Sequence, residues 1–235
     1  MGATTKYLRY ALMAEVFRYP TEGFGDRMRS VDAMLATHYP DTVHVFERFL
    51  DWATTTPLHD MEEVYARTFH VQAICYLDLG FVLFGEDYKR GEFLVNMKRE
   101  QAMADNDCGC ELPDNLVNVL TLLPLLKDSA FRDELAGRIM IPSLRRMLQE
   151  FSDTRTVLRE KMLKRKHNAI LLADRTDGNI YKNALEALLV MLTADHFDLG
   201  MLDARPQGDP LHAAAPMGCG TCAEPHHSTP IPTKP

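Results

Sequence analysis

Four of the five cysteines in this 235-residue chain fall in two short stretches, and these are the residues best suited to bond chemistry. Near the C-terminus, Cys219-Gly-Thr-Cys222 has His212 before it and His226-His227 after it. Two thiolates and imidazoles could complete a four-coordinate site for a soft ion such as zinc, which makes Cys219, Cys222 and His226 candidate metal ligands. A structural zinc site normally has a small fold around it, and this stretch offers almost no apolar residues to build one. Cys108 and Cys110 flank Gly109 in a polar loop. They could join the other pair as four thiolates, but nothing in the sequence brings the two together. Cys75 lies in an apolar stretch and reads as a small buried residue. An odd number of cysteines, in a chain long enough to fold without staples, argues against a framework of disulfides.

Other reactive patterns are absent from the sequence. There is no glycine-rich phosphate loop, nucleophile elbow or paired-histidine zincin motif, and no carboxylate pair has neighbours that would tune it for acid–base work. Catalysis has no positive support. His70, beside Phe69, reads as a partly buried helix-end residue. His167 sits in the run Lys161, Lys164, Arg165, Lys166, which reads as a solvated face or, functionally, as a dock for an acidic partner.

Composition narrows the classes further. A net charge of -7 argues against nucleic acid as a principal partner, because phosphate neutralisation needs a basic face. No run approaches the roughly 18 apolar residues of a membrane span, so direct membrane insertion is not expected. The first residues lack a secretory signal's order of basic, apolar and small residues, so the expected location is cytoplasmic. Apolar content of 46% is that of an ordinary globular domain.

The elements that must position these groups read as helices throughout. Leu8, Ala11, Leu12 and Val16 recur at helical spacing, ended by Pro20, and Phe24, Met28, Val31 and Leu35 repeat it up to Tyr39-Pro40. Asp41 is placed to cap a third helix carrying Phe46 and Phe49, and Met61, Val64, Tyr65, Thr68 and Phe69 mark a fourth. Residues 71–84 are nearly all apolar, with Leu77, Leu79, Phe81 and Leu83 alternating like a strand. A lone strand leaves its backbone unpaired, so buried helix or packed loop is expected. Leu94, Met97 and Gln101 line a helix over 87–104. Pro113 suits the first position of the next helix, with Glu111 and Asp114 at its positive end. Pro124 and Pro142 are expected to interrupt long helices. Ala184, Leu188, Met191 and Leu192 mark the last helix. The sum is a single all-α helical-bundle domain of about nine helices over 1–202, with a flexible Pro-, Gly-, His- and Cys-containing tail over 203–235.

The thirteen methionines are numerous for this length and suit either a core or an adaptable peptide groove. A groove gains support from residues 62–120, where three features occur in order: Tyr65-x-x-x-Phe69, then Phe84-Gly85-Glu86 leading into Arg90-Gly91, then Glu111-Leu-Pro-Asp-Asn-Leu116. This series resembles the NarJ-type nitrate reductase assembly chaperones, relatives of the TorD/DmsD redox enzyme maturation proteins. The likeness covers about residues 60–195. Asn115 stands where that pattern has histidine, Gly80-Phe81 replaces an aromatic–acid pair, and neither cysteine cluster belongs to it.

The resemblance implies a non-enzymatic helical chaperone with no stably bound cofactor. Its partner would be the apo form of a molybdenum-containing catalytic subunit of a nitrate reductase-like enzyme, held by its N-terminal segment until the cofactor is inserted. The residues expected to bind that segment are Tyr65, Phe69, Phe84, Glu86, Arg90, Leu94, Met97, Leu112, Asp114 and Leu116. Of these, the polar Glu86, Arg90 and Asp114 are expected at the groove mouth. A metal- or redox-responsive helical protein acting through the Cys/His tail stands as the alternative.

Overall fold

The computed structural model describes residues 2–71, 73–152 and 180–196, and over these it is all-α. The helices are α1 (Gly2–Ala14, extended by a 3₁₀ turn Glu15–Phe17), α2 (Phe24–His38), α3 (Val43–Thr55), α4 (Leu58–Phe69) and α5 (Leu79–Phe84). Then follow α6 (Tyr88–Met103), α7 (Leu116–Leu122), α8 (Ser129–Glu134), α9 (Ile141–Glu150) and α10 (Ile180–Asp195). A π-helical stretch, Leu135–Met140, joins α8 to α9 without a break, so the described residues form nine rods. None is long and apolar enough to cross a membrane.

The core grows from the helical periodicity. On α3, Phe46, Phe49 and Ala53 fall on one face, which packs between α2 and α10. On α10, Tyr181, Ala184, Leu188 and Leu192 are wholly buried. Tyr181 is the hub: its ring meets Phe49 at 5.2 Å and Phe69 at 4.9 Å, both edge-on. Each such ring contributes roughly 1.5–3 kcal/mol through burial. α1 lies along α7, and α9 along α10.

Four local expectations are corrected. Asp41 does not cap α3; it lies in a 3₁₀ turn, Pro40–Thr42, and no side chain caps that helix. Pro113 and Asp114 do not open α7, which starts at Leu116 with Asn115 as its cap, the Asn115 side chain accepting from the Val117 N–H at 3.1 Å. Pro142 does not interrupt its helix, because the wider π turn just before it loosens the i→i−4 register that a proline ring would obstruct. On α6 the buried line is Phe93, Met97 and Gln101, with Leu94 only half-buried.

The ambiguous stretch has a packed loop over residues 73–78, followed by the short α5. Its strand-like alternation has one consequence, an isolated antiparallel bridge between Asp78 and Asn115. The Leu79 N–H donates to the Asp114 carbonyl at 3.1 Å and the Leu116 N–H to the Leu77 carbonyl at 2.9 Å. The two loops that bracket the functional cleft are thereby fastened to each other.

Candidate functional site

Aromatic residues of α4 and of the turn after α1 make the floor of a broad cleft. Tyr65 and Phe69 stand one helical turn apart on the buried face of α4, their rings 5.0 Å apart. The Tyr65 hydroxyl donates to the Phe17 carbonyl at 2.9 Å, which ties α4 to the end of the first helix. Tyr19 meets Tyr65 edge-on at 5.3 Å. Around this floor opens a cleft of about 830 Å³, walled by His70, Tyr76, Leu77 and Asp78, by the loop 107–111 and by Asn115, Val117 and Asn118. That is the size range of sites for small ligands or a few peptide side chains.

Polar side chains hold the second wall in place. Gln101 donates to the Pro113 carbonyl at 2.8 Å, and Asn118 to the carbonyls of Leu112 at 2.9 Å and Cys108 at 3.3 Å. Asn106 donates to Gln101 Oε1 at 2.7 Å and to Thr121 Oγ1 at 3.1 Å. These three amides knit the loop to α6 and α7. Sequence reasoning missed Asn106 and Asn118; the available signal was an asparagine inside the apolar run of α7 and another ten residues before that run.

Among the described residues, charge in the cleft is predominantly negative: Asp78, Asp107 and Glu111 face it, with Arg18 and His70 as the basic groups. Burial pushes the Asp78 carboxyl above the usual carboxylate range, against a hydrogen bond from Asn115 and the pull of Arg90. Burial, and then the charge of Glu111, push the Tyr65 hydroxyl up. His70, expected to be partly buried, is exposed at the end of α4 and lies 5.4 Å from the Tyr65 ring. The mouth also exposes apolar surface: Tyr19 is 50% and Tyr76 43% exposed, and Val71 and Leu112, next in the chain to His70 and Glu111, are 67% and 40%.

The ten expected binding residues divide into three groups. Tyr65 and Phe69 line the cleft, and Leu112 is exposed beside it in the chain. Asp114 is wholly buried behind the wall, where its Oδ2 accepts from the Gly80 N–H at 2.8 Å, and Leu116 is a core residue. Thus Asp114 is not a mouth residue: its carboxylate and its carbonyl satisfy the first two N–H groups of α5. The other five are not among the residues that line the cleft. Arg90 rests its guanidinium 5.0 Å over the Phe81 ring and pairs with exposed Glu86 at 3.6 Å, and Phe84 packs on Phe93. Leu94 is half-buried, and Met97 is buried against a separate narrow gap shared with Leu135 and Ile139.

Among the described residues no methionine lines the cleft; the adaptable surface there is tyrosine and phenylalanine. Among the described residues no group of three His, Cys, Asp or Glu side chains could hold a metal ion. Cys219, Cys222 and His226, and the basic run 161–167, lie outside the described residues. Compared with models of known families and with curated proteins, the chain matches none.

Proposed function

We propose that this protein is a non-enzymatic assembly chaperone of the NarJ kind. In this reading it binds the N-terminal segment of the catalytic subunit of a nitrate reductase-like molybdenum enzyme and keeps the apo subunit open to its cofactor. It acts in the cytoplasm, before membrane docking or export, and holds no cofactor of its own. The cleft over Tyr65 and Phe69 carries the proposal: apart from Phe17, Arg18 and Tyr19 its lining lies within the stretch whose motifs resemble that family, and it joins an aromatic floor to an acidic wall. Exposed aromatic surface beside a cleft is the usual mark of a binding site rather than of a core.

The energetics suit a reversible carrier. Three or four apolar anchors at roughly 1.5–3 kcal/mol each provide the attraction. Ordering a flexible segment costs about 2–5 kcal/mol, on top of the lost freedom of association. The dissociation constant then falls between roughly tens of nanomolar and tens of micromolar. Asp78, Asp107 and Glu111 favour a segment carrying positive charge.

Titration calorimetry with a synthetic N-terminal segment of such a subunit tests the proposal. Binding in that range, weakened roughly tenfold by Tyr76→Ala with helicity unchanged, supports it. Absence of heat with every such segment removes it.

A further inference from the structure

Cys108 and Cys110 belong to the cleft wall, yet neither the fold nor client binding requires a thiol there. Cys108 is half-buried and Cys110 exposed, and both face the cleft as free thiols. Between them Gly109 takes φ +58°, a conformation that favours glycine, although a side chain there would meet nothing within 4 Å. Glycine is therefore needed for the turn and not for space. The turn is closed by the Glu111 N–H donating to the Cys108 carbonyl at 3.2 Å and by the Gly109 N–H donating to Asp107 Oδ1 at 2.9 Å. Its base is fixed, because Asn118 holds the same Cys108 carbonyl.

We propose that Cys108 and Cys110 form a reversible thiol–disulfide couple in the cleft wall, made by exchange with an external disulfide such as oxidised glutathione. Two residues apart, their Cα atoms are separated by about 7 Å at most even in an extended chain. A tight turn shortens that into the range of roughly 4.4–6.8 Å that a disulfide spans. Exposed Cys110 attacks first: its thiolate bonds to one sulfur of the external disulfide and expels the other half as a thiolate. The Cys108 thiolate then attacks the Cys110 sulfur, closing the ring and releasing the second thiolate. Two cysteine thiols are oxidised, one external disulfide is reduced to two thiols, and the two cysteine protons pass to them. Burial and the charge of Asp107 raise the Cys108 thiol pKa, which lowers the fraction present as thiolate for the closing step. So small a ring is strained and easily reduced, which suits a switch and not a staple.

Ring closure draws the Cys108 sulfur from its contact with the Asn106 carbonyl at 3.9 Å and changes the wall beside Tyr76 and Glu111. Resting here on the proposed client role, the couple and the client are linked: if oxidation weakens client binding by a given factor, bound client disfavours oxidation by the same factor.

The test equilibrates the full chain in glutathione buffers of rising oxidised fraction, alkylates the remaining thiols and weighs the tryptic peptide that spans both cysteines. The expected product is lighter by two hydrogen atoms, carries no alkyl group and forms in one two-electron transition. Cys108→Ser and Cys110→Ser should each yield only a mixed disulfide with glutathione. Stable glutathione on Cys110 with Cys108 still alkylated, or crosslinking to the peptide bearing Cys219 and Cys222, overturns the proposal. Calorimetry on the two forms, with the synthetic segment as probe, should show roughly tenfold weaker binding once oxidised. Equal binding overturns the link alone, and absence of binding to either form removes the client reading while leaving the couple standing.

Discussion

The carboxylate of Asp114 reaches across thirty-four residues of chain to accept a hydrogen bond from the Gly80 backbone N–H at 2.8 Å. This contact joins the two loops of the cleft from behind and explains the glycine. A Cβ at position 80 would lie 2.7 Å from Asp114 Oδ2 and 2.8 Å from the Phe93 ring. Gly80→Ala should therefore destabilise the protein by about 1–3 kcal/mol, measured by urea unfolding. Gly91→Ala, in the same assay, should stabilise by roughly 0.5–1 kcal/mol, since it adds a Cβ that meets nothing to the interior of α6.

Buried Asp114 and half-buried Asp78 share Arg90 as a counter-charge. Burial raises both carboxyl pKa values, the charge of Asp78 raises that of Asp114 further, and Arg90 pulls both back down. A carboxyl whose folded pKa is raised contributes stability below its unfolded value near 4, and that contribution is lost as pH rises through the folded value. Arg90→Gln removes the counter-charge and raises both values further. The variant should lose more stability relative to wild type at pH 7 than at pH 4. Equal losses at both values in urea titrations would mean that Arg90 acts only through its packing on Phe81.

His196 gives the opposite slope. It is buried at the end of α10, with Nδ1 3.3 Å from Asp133 and, among the described residues, no hydrogen-bond partner for Nε2. Burial lowers its pKa, outweighing the pull of Asp133. The folded state favours neutral imidazole, so this contribution is present above the unfolded value near 6.5 and is lost as pH falls toward the folded one. Thermal unfolding of His196→Gln should show a flatter stability profile between pH 7 and pH 5 than wild type does.

Tyr65 separates structure from recognition. Tyr65→Phe removes the donor to the Phe17 carbonyl and should cost about 1 kcal/mol of stability by urea unfolding. The ring that floors the cleft remains, so client affinity in the same variant should change by less than about threefold. A large loss of affinity would place the hydroxyl itself in contact with the client.

The helices were legible wherever one face is buried along its whole length. Phe46 and Phe49 on α3, and Ala184, Leu188 and Leu192 on α10, announce their faces by spacing alone. What the spacing could not reveal is a partner far away in the chain. Asp114 reads locally as an acid at the start of a helix, but its N–H partner is Gly80. Pro142 reads as a break because the compensating π turn leaves no periodic mark. The floor of the cleft, Tyr65 and Phe69, was found as a helical pair. Its wall was not, because Asn106, Asn118 and the turn at Gly109 are defined by hydrogen bonds to three different elements.

Hydrogen–deuterium exchange of the full chain, with and without the N-terminal segment of a molybdenum catalytic subunit, addresses the central claim most directly. Bound segment should slow exchange in the loops 70–78 and 105–118, the two walls over Tyr65 and Phe69, and leave α2 and α3 unchanged. Protection confined to the outer face of α6, or no protection anywhere at saturating segment, would contradict the account.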